Sequence, residues 1–236
     1  MTSPESILLV GCGKMGSALM DGWIGQGTSP DAIFVVDPMQ PDLPDGVAGG
    51  ATFDDIPDNF AATVVVLAVK PQVMDAVLAP YLALVRPDTV FLSIAAGRTI
   101  GTFEAVLGAD ARIVRAMPNT PAAVGQGITV LIGNGHVTAA QRDACEALMA
   151  AVGKVAWVSE EGLIDAVTGV SGSGPAYVFH LVEAMAAAGV AAGLSPDLAM
   201  QLARETVAGS GALLAQSTDP AATLRENVTS PGGTTA

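Results

Sequence analysis

Two glycine-rich runs hold the residues best suited to chemistry. The first, Gly11-Cys12-Gly13-Lys14-Met15-Gly16, follows the apolar run Ile7 to Val10 and leads into Met15, Leu19 and Trp23 at helical spacing. Between a strand and a helix, Gly-x-Gly-x-x-Gly is a dinucleotide fingerprint. Gly11 permits the tight turn, Gly13 lets a pyrophosphate approach the backbone, and Gly16 lets helix and strand pack closely. Cys12, Lys14 and Met15 complete the turn, with Lys14 either filling the loop or touching a phosphate. Asp37 ends the next strand about twenty residues further on, where an acid hydrogen-bonds the ribose hydroxyls of NAD and repels the extra phosphate of NADP. No Lys or Arg occurs from Met15 to Val69, which tilts the site toward NADH. Asp37 also has the simpler reading of a turn-former before Pro38.

The second run, Ser230-Pro231-Gly232-Gly233-Thr234-Thr235, is a helix-start signature. Ser caps free backbone N–H groups and Pro at the first helical position gives up no needed donor. Such an N-terminus carries partial positive charge, so a substrate carboxylate can rest there without an arginine. An ordinary loop entering a helix has the same pattern.

Three further segments fall after strand-like runs, at the strand ends where open α/β sheets bind ligands. Ala68-Val69-Lys70-Pro71 and Ala95-Ala96-Gly97 are expected to wall the cofactor cleft, Lys70 being either a contact or a solvated edge residue. In Met117-Pro118-Asn119-Thr120-Pro121, Asn119 either approaches the cofactor or ties the turn through its amide. Ser171-Gly172-Ser173-Gly174-Pro175 is expected to be a flexible loop before a long buried helix, with Ser173 offering a hydroxyl. Of the two histidines, His136 falls in an exposed turn and His180 in the buried-helix stretch, where a structural hydrogen bond is the expected role.

The elements that position these residues follow from hydrophobic periodicity. Runs at Ile7 to Val10, Ile33 to Val36, Val64 to Val69, Val90 to Ile94, Ile113 to Met117 and Ile128 to Ile132 alternate with helical stretches. That alternation predicts a doubly wound parallel sheet with helices on both faces. Thr138 and Gln141 form a capping box before a helix with Cys145, Leu148, Met149 and Val152 on one face. A strand around Val155 to Val158 closes the first domain.

After Ser159 the strand-like runs vanish, and helices are predicted at Leu163 to Val167, Pro175 to Ala192 and Pro196 to Ala215. The expected division is 1–158, a Rossmann-type dinucleotide-binding domain, and 159–236, an all-α domain. The middle helix is apolar nearly all round, which a soluble chain tolerates only when neighbours cover every face. A homodimer, or a multiple of dimers, is therefore expected.

Composition excludes several function classes. The 236 residues carry a formal net charge of −13 with only ten Lys and Arg, which argues against nucleic acid or an anionic membrane as partner. Cys12 and Cys145 have no ligand-spaced neighbours, so no metal and a reducing cytoplasm are expected. MTSPES shows no basic segment followed by an apolar one, and the first apolar run is too short for a signal or membrane span.

The motifs together resemble the pyrroline-5-carboxylate reductase family. The matching pieces are GCGKMGSA at Gly11 to Ala18, AVKP at Ala68 to Pro71, SIAAG at Ser93 to Gly97, RAMPNTP at Arg115 to Pro121, GVSGSGPAYVF at Gly169 to Phe179 and VTSPGGTT at Val228 to Thr235. The resemblance implies reduction of 1-pyrroline-5-carboxylate to L-proline by hydride transfer from NADPH or NADH, a nearby Ser173, and dimers formed by interlocked helical domains. It also implies substrate contacts at Ser230, Gly232, Gly233, Thr234 and Thr235, with the Thr235 hydroxyl on the ring nitrogen as the catalytic contact. Members of the family continue into a further helix after this segment, whereas the sequence ends at Ala236. Other readings of the residues are a dehydrogenase of another small carboxylic acid, with a lysine as acid, and a non-catalytic cofactor sensor. For the first, Lys154 is the only lysine in the C-terminal half and sits before the domain change; the second would bind cofactor without oxidising it.

Overall fold

The computed structural model describes residues 6–229, so the Ser230 to Thr235 segment lies outside the described residues. The chain divides into two compact units, Met1–Ser173 and Gly174–Ala236.

The first unit is built on an eight-stranded sheet in the order β3-β2-β1-β4-β5-β6-β7-β8. Its strands are β1 (Ile7–Val10), β2 (Ile33–Val36), β3 (Ala48–Gly50), β4 (Val64–Leu67), β5 (Val90–Ser93), β6 (Arg112–Met117), β7 (Gly127–Gly133) and β8 (Gly153–Trp157). Strands ILLV, IFVV, VVVL and VFLS are buried at every position. Such continuous apolar runs are what a sheet covered on both faces requires. One face packs Leu9, Val66 and Val114 under α1 (Lys14–Gly25) and α4 (Ala139–Ala150), whose Trp23 and Cys145 are fully buried. Trp23 Nε1 donates to the Leu148 carbonyl at 2.9 Å and so joins these two helices. The opposite face packs Val10, Val65 and Ile113 under α2 (Met74–Val77), α3 (Ile100–Leu107) and α5 (Leu163–Val167).

The expectation of a wholly parallel sheet needs one correction: β7 runs antiparallel to β6, while all other pairs are parallel. Only 118–126 join β6 to β7, too few residues for the crossover of about a dozen or more that a parallel return needs. β3 and α3 are among the elements that escape periodicity. β3 is Ala-Gly-Gly at the sheet edge, without a β-branched residue. Helix α3 is short, and its start is marked by Thr99, whose side chain accepts the Thr102 N–H.

Residues 159–173, read from sequence with the helical domain, cluster with the sheet unit. Ile164 is fully buried on the sheet face that also holds Ile113. The Ser171 to Pro175 stretch is not a loop. Thr168–Gly172 is a π-helical turn continuing from α5, closed by Ser173 N–H donating to the Thr168 carbonyl at 2.8 Å. π-turns of this kind concentrate at functional sites.

The second unit contains α6 (Gly174–Ala191), α7 (Pro196–Gln216) and α8 (Ala221–Asn227). Helices α6 and α7 pack on each other, with Gly189 set so close to Ala199 that a Cβ would lie 3.1 Å from the alanine methyl. Helix α6 is not buried within one chain: Tyr177 is 61% and Phe179 64% exposed, and Leu198, Leu202 and Leu213 of α7 are exposed too. A helix apolar all round buries only the stripe its own hairpin partner covers.

Candidate cofactor cleft and its supporting residues

The strand order reverses at β1, whose neighbours are β2 on one side and β4 on the other. Open α/β sheets bind ligands at the carboxyl ends of the strands flanking such a switch point. The glycine turn starts there. Gly11 has φ +91° and its N–H donates to the Val36 carbonyl at 2.8 Å. A Cβ at Gly11 would fall 2.9 Å from Val69 and 3.0 Å from the Ala68 carbonyl carbon, so the turn lies directly against the Ala68 to Pro71 loop. At Gly16 a Cβ would stand 2.4 Å from the Gly11 carbonyl oxygen. At Gly13, the N-cap of α1, it would meet nothing within 4 Å. Two glycines are therefore required by internal packing, while the third faces open space.

No side chain caps the N-terminus of α1, although the first N–H groups of a helix have no internal acceptor. Those donors and the helix dipole suit an anion. Lys14 and Lys70 are exposed and form no ion pair among the described residues. Uncapped donors, open space at Gly13 and two nearby cations fit the pyrophosphate of a nicotinamide dinucleotide.

Asp37 follows β2, and both of its carboxylate oxygens are engaged. Oδ2 accepts the Cys12 N–H at 2.7 Å and Oδ1 accepts the Met39 N–H at 2.8 Å. Asp37 thus shapes the turn at Pro38, the simpler of the two roles read from sequence, and also ties that turn to the glycine turn. A cavity of about 290 Å³ adjoins it, lined by Asp37, Gln40, Asp42, Leu43 and Gly50 among others and by no Lys or Arg. Gln40, at φ +44°, is the one non-glycine residue with positive φ among those described. Burial, then Asp37 and Asp21, raise the Cys12 thiol above its ordinary value, so it stays protonated in the turn.

The two loops expected to wall the cleft are joined by a residue that motif reading passes over. Arg98 forms a bidentate pair with Asp75, both contacts at 2.9 Å, and donates to the Pro71 carbonyl from Nη2 at 2.6 Å. Ala95 N–H donates to Ser93 Oγ at 3.2 Å, and Ala96 and Gly97 remain exposed at the rim. Asn119 uses its amide within the protein. Its oxygen accepts the Ile128 N–H at 2.9 Å and its nitrogen donates to Ser171 Oγ at 3.3 Å. The 3₁₀ turn Thr120–Val124 after it packs on α1, which brings this loop to the helix that carries the glycine turn.

Sequence reading also missed Arg115 and Glu161. Their pair, 2.9 Å apart, sets a buried guanidinium from β6 against a carboxylate just before α5. An arginine within the apolar strand Ile113 to Met117 was the signal for it, since a charge in a strand covered on both faces needs a partner. His136 is exposed. His180 is exposed as well, contrary to the buried site expected for it, and contacts Glu183 at 3.2 Å on the surface of α6. Among the described residues there is no cluster of His, Cys, Asp and Glu able to hold a metal ion, and no helix long and apolar enough to cross a membrane.

Comparison with known proteins places the whole chain with one family. Residues 161–236 match a model described as pyrroline-5-carboxylate reductase dimerisation, and residues 6–97 match one described as NADP oxidoreductase, coenzyme F420-dependent. The pyrroline-5-carboxylate reductase of Pseudomonas aeruginosa is 41% identical over 239 residues, covering 100% of this chain and 87% of that protein. The chain belongs to the pyrroline-5-carboxylate reductase family. A solved pyrroline-5-carboxylate reductase from Coxiella burnetii superposes with a TM-score of 0.88 at 36% identity, over 99% of this chain and 88% of that one. The Plasmodium falciparum family member, solved with NADP bound, superposes at 0.81 with 29% identity, over 100% and 88%. In this family the helical unit is a dimerisation domain, which accounts for the uncovered apolar surface of α6 and α7.

Proposed function

We propose that this chain reduces 1-pyrroline-5-carboxylate to L-proline with a nicotinamide dinucleotide as hydride donor, the last step of proline biosynthesis. The carrying observation is the uncapped N-terminus of α1 behind an open Gly13, in a chain 41% identical to a pyrroline-5-carboxylate reductase over its whole length. Gly11, Cys12, Gly13, Lys14, Met15 and Gly16 hold the pyrophosphate, and Asp37 faces the adenosine ribose. Ala68, Val69, Lys70 and Pro71 with Ala95, Ala96 and Gly97 form the walls.

The bound cofactor supplies the hydride. The protein's share is to orient the imine, exclude water and keep both walls in register, which together account for much of the rate in a reaction of two bound partners. Ser173 offers a hydroxyl to the imino acid. Ser230, Gly232, Gly233, Thr234 and Thr235 complete the substrate contacts, the Thr235 hydroxyl taking the ring nitrogen. No histidine serves as proton donor: His136 and His180 both point to solvent, and a substrate that arrives protonated needs none. The chain works as a homodimer in which a second copy covers Tyr177 and Phe179. The buried free thiols Cys12 and Cys145 support a reducing, cytoplasmic setting.

The test is the loss of NADH and NADPH absorbance with 1-pyrroline-5-carboxylate as the acceptor, proline being identified as product. Cofactor binding without turnover would overturn the reductase reading.

A further inference from the structure

Glu161 Oε1 accepts from two partners at once: Arg115 Nη1 at 2.9 Å and the Ile100 backbone N–H at 2.8 Å. One oxygen therefore joins three elements. Arg115 lies on β6 in register with Ser93, the last residue of β5. Ile100 opens α3, directly after the Ala95 to Gly97 wall. Glu161 precedes α5, which runs into the π-turn Thr168–Gly172 and Ser173.

We propose that Glu161 is a positioning residue for hydride transfer, setting the Ala95–Gly97 wall against the segment that presents Ser173. What those two walls hold rests on the reductase reading above. The reasons are geometric. The Arg115 side chain is 6% exposed and that of Glu161 31%, so the pair is rooted in the sheet and emerges at the rim. An apolar pair of the same volume would serve stability as well or better, because desolvating two charges offsets most of their attraction. An apolar pair would leave the Ile100 N–H without its acceptor and the two segments without a shared fixed point.

The far end of the segment has its own tie. Ser171 Oγ accepts from Asn119 Nδ2 at 3.3 Å, and the Met117 methyl occupies the space a side chain at Gly172 would take, 2.4 Å from a Cβ there. With this end held, Glu161 is, among the described residues, the side chain that ties the start of α5 to the Ala95–Gly97 wall through Ile100.

Three full-length variants test the proposal by steady-state kinetics, thermal unfolding and amide hydrogen exchange. Arg115→Met with Glu161→Leu keeps the site filled but removes the link. It is expected to unfold near the parent temperature, to lose about tenfold to a hundredfold in kcat with the KM for cofactor little changed, and to exchange faster at 96–100 and 168–173 together. Ile100→Pro deletes the N–H at a first helical position that tolerates proline and also trims a buried side chain, a packing loss that thermal unfolding reads separately; it is expected to repeat the loss in kcat with the ion pair intact. Glu161→Gln retains an amide oxygen for Ile100 and is expected to recover kcat to within about threefold.

Unchanged kcat and exchange in both the double variant and Ile100→Pro would overturn the proposal, as would a Glu161→Gln protein as slow as the double variant. If the double variant fails to fold, Ile100→Pro decides alone. If the parent protein turns over no pyrroline-5-carboxylate, the reductase reading fails, and the exchange pattern of the two segments still supports or overturns the coupling.

Discussion

The Asp37 carboxylate accepts the Cys12 backbone N–H at 2.7 Å, so the residue after β2 holds the middle of the turn after β1. The bond fixes an anion beside the glycine turn and, with the Met39 N–H on its other oxygen, keeps the carboxylate from swinging aside. Asp37→Ser is therefore expected to shift the ratio of kcat/KM for NADPH over NADH by about tenfold in favour of NADPH, or ~1.4 kcal/mol. Equal ratios before and after the change would show that Asp37 only shapes the turn.

Gly16 and Gly13 should separate stability from binding. Gly16→Ala forces a methyl to 2.4 Å from a backbone oxygen that cannot retreat without opening the turn. A loss of about 1–3 kcal/mol in urea unfolding is expected, together with weakened cofactor binding. Gly13→Ala meets no protein atom within 4 Å. It should cost less than about 1 kcal/mol, the usual size of an N-cap change, yet weaken cofactor binding by fluorescence titration. Equal affinity in Gly13→Ala and the parent would place the pyrophosphate elsewhere.

Both thiols should be silent in the folded protein. Burial pushes Cys145 from 9.0 up to about 12, and burial with two neighbouring carboxylates raises Cys12. A thiol-specific reagent near pH 8 is expected to modify neither until denaturant is added. In the folded state each thiol keeps a proton that the unfolded chain releases at lower pH. Their linkage to folding therefore lowers stability as pH rises from about 9 toward 12 and leaves it unchanged at neutral pH. Rapid labelling of Cys145 under native conditions would contradict its burial.

Phe179 sits on α6 at 64% exposure in a domain whose family role is dimerisation. Phe179→Glu puts a charge into the surface that a second copy would cover, at a cost of several kcal/mol if the interface is desolvated. Sedimentation should show the parent as a dimer or a multiple of dimers and the variant shifted toward monomer. A monomeric parent would remove the basis for this assignment.

His180→Asn is expected to retain near-parental kcat, since among the described residues the polar partner of its exposed imidazole is Glu183 on α6. A fall of about a hundredfold, the scale of lost general acid catalysis, would restore it as a proton donor.

The sequence by itself determined the elements whose local signals are strongest. Runs such as ILLV and VVVL show strands buried on both faces, Gly11, Gly13 and Gly16 mark the turn, Thr138 and Gln141 cap α4, and the all-round apolar α6 announces a partner surface. These signals are legible because period, capping and positive φ depend on neighbours within a few residues. Tertiary structure decided what depends on distant contacts. It turned β7 antiparallel because 118–126 is too short for a crossover. It made Ser171 part of a π-turn, drew 159–173 onto the sheet through Ile164, and gave Asp37 its hydrogen bond to Cys12. The Arg98 clamp and the Arg115–Glu161–Ile100 junction join residues 23 to 61 positions apart. No local pattern encodes such pairs, because the free energy of a buried charge is set by which chain segment the fold brings against it.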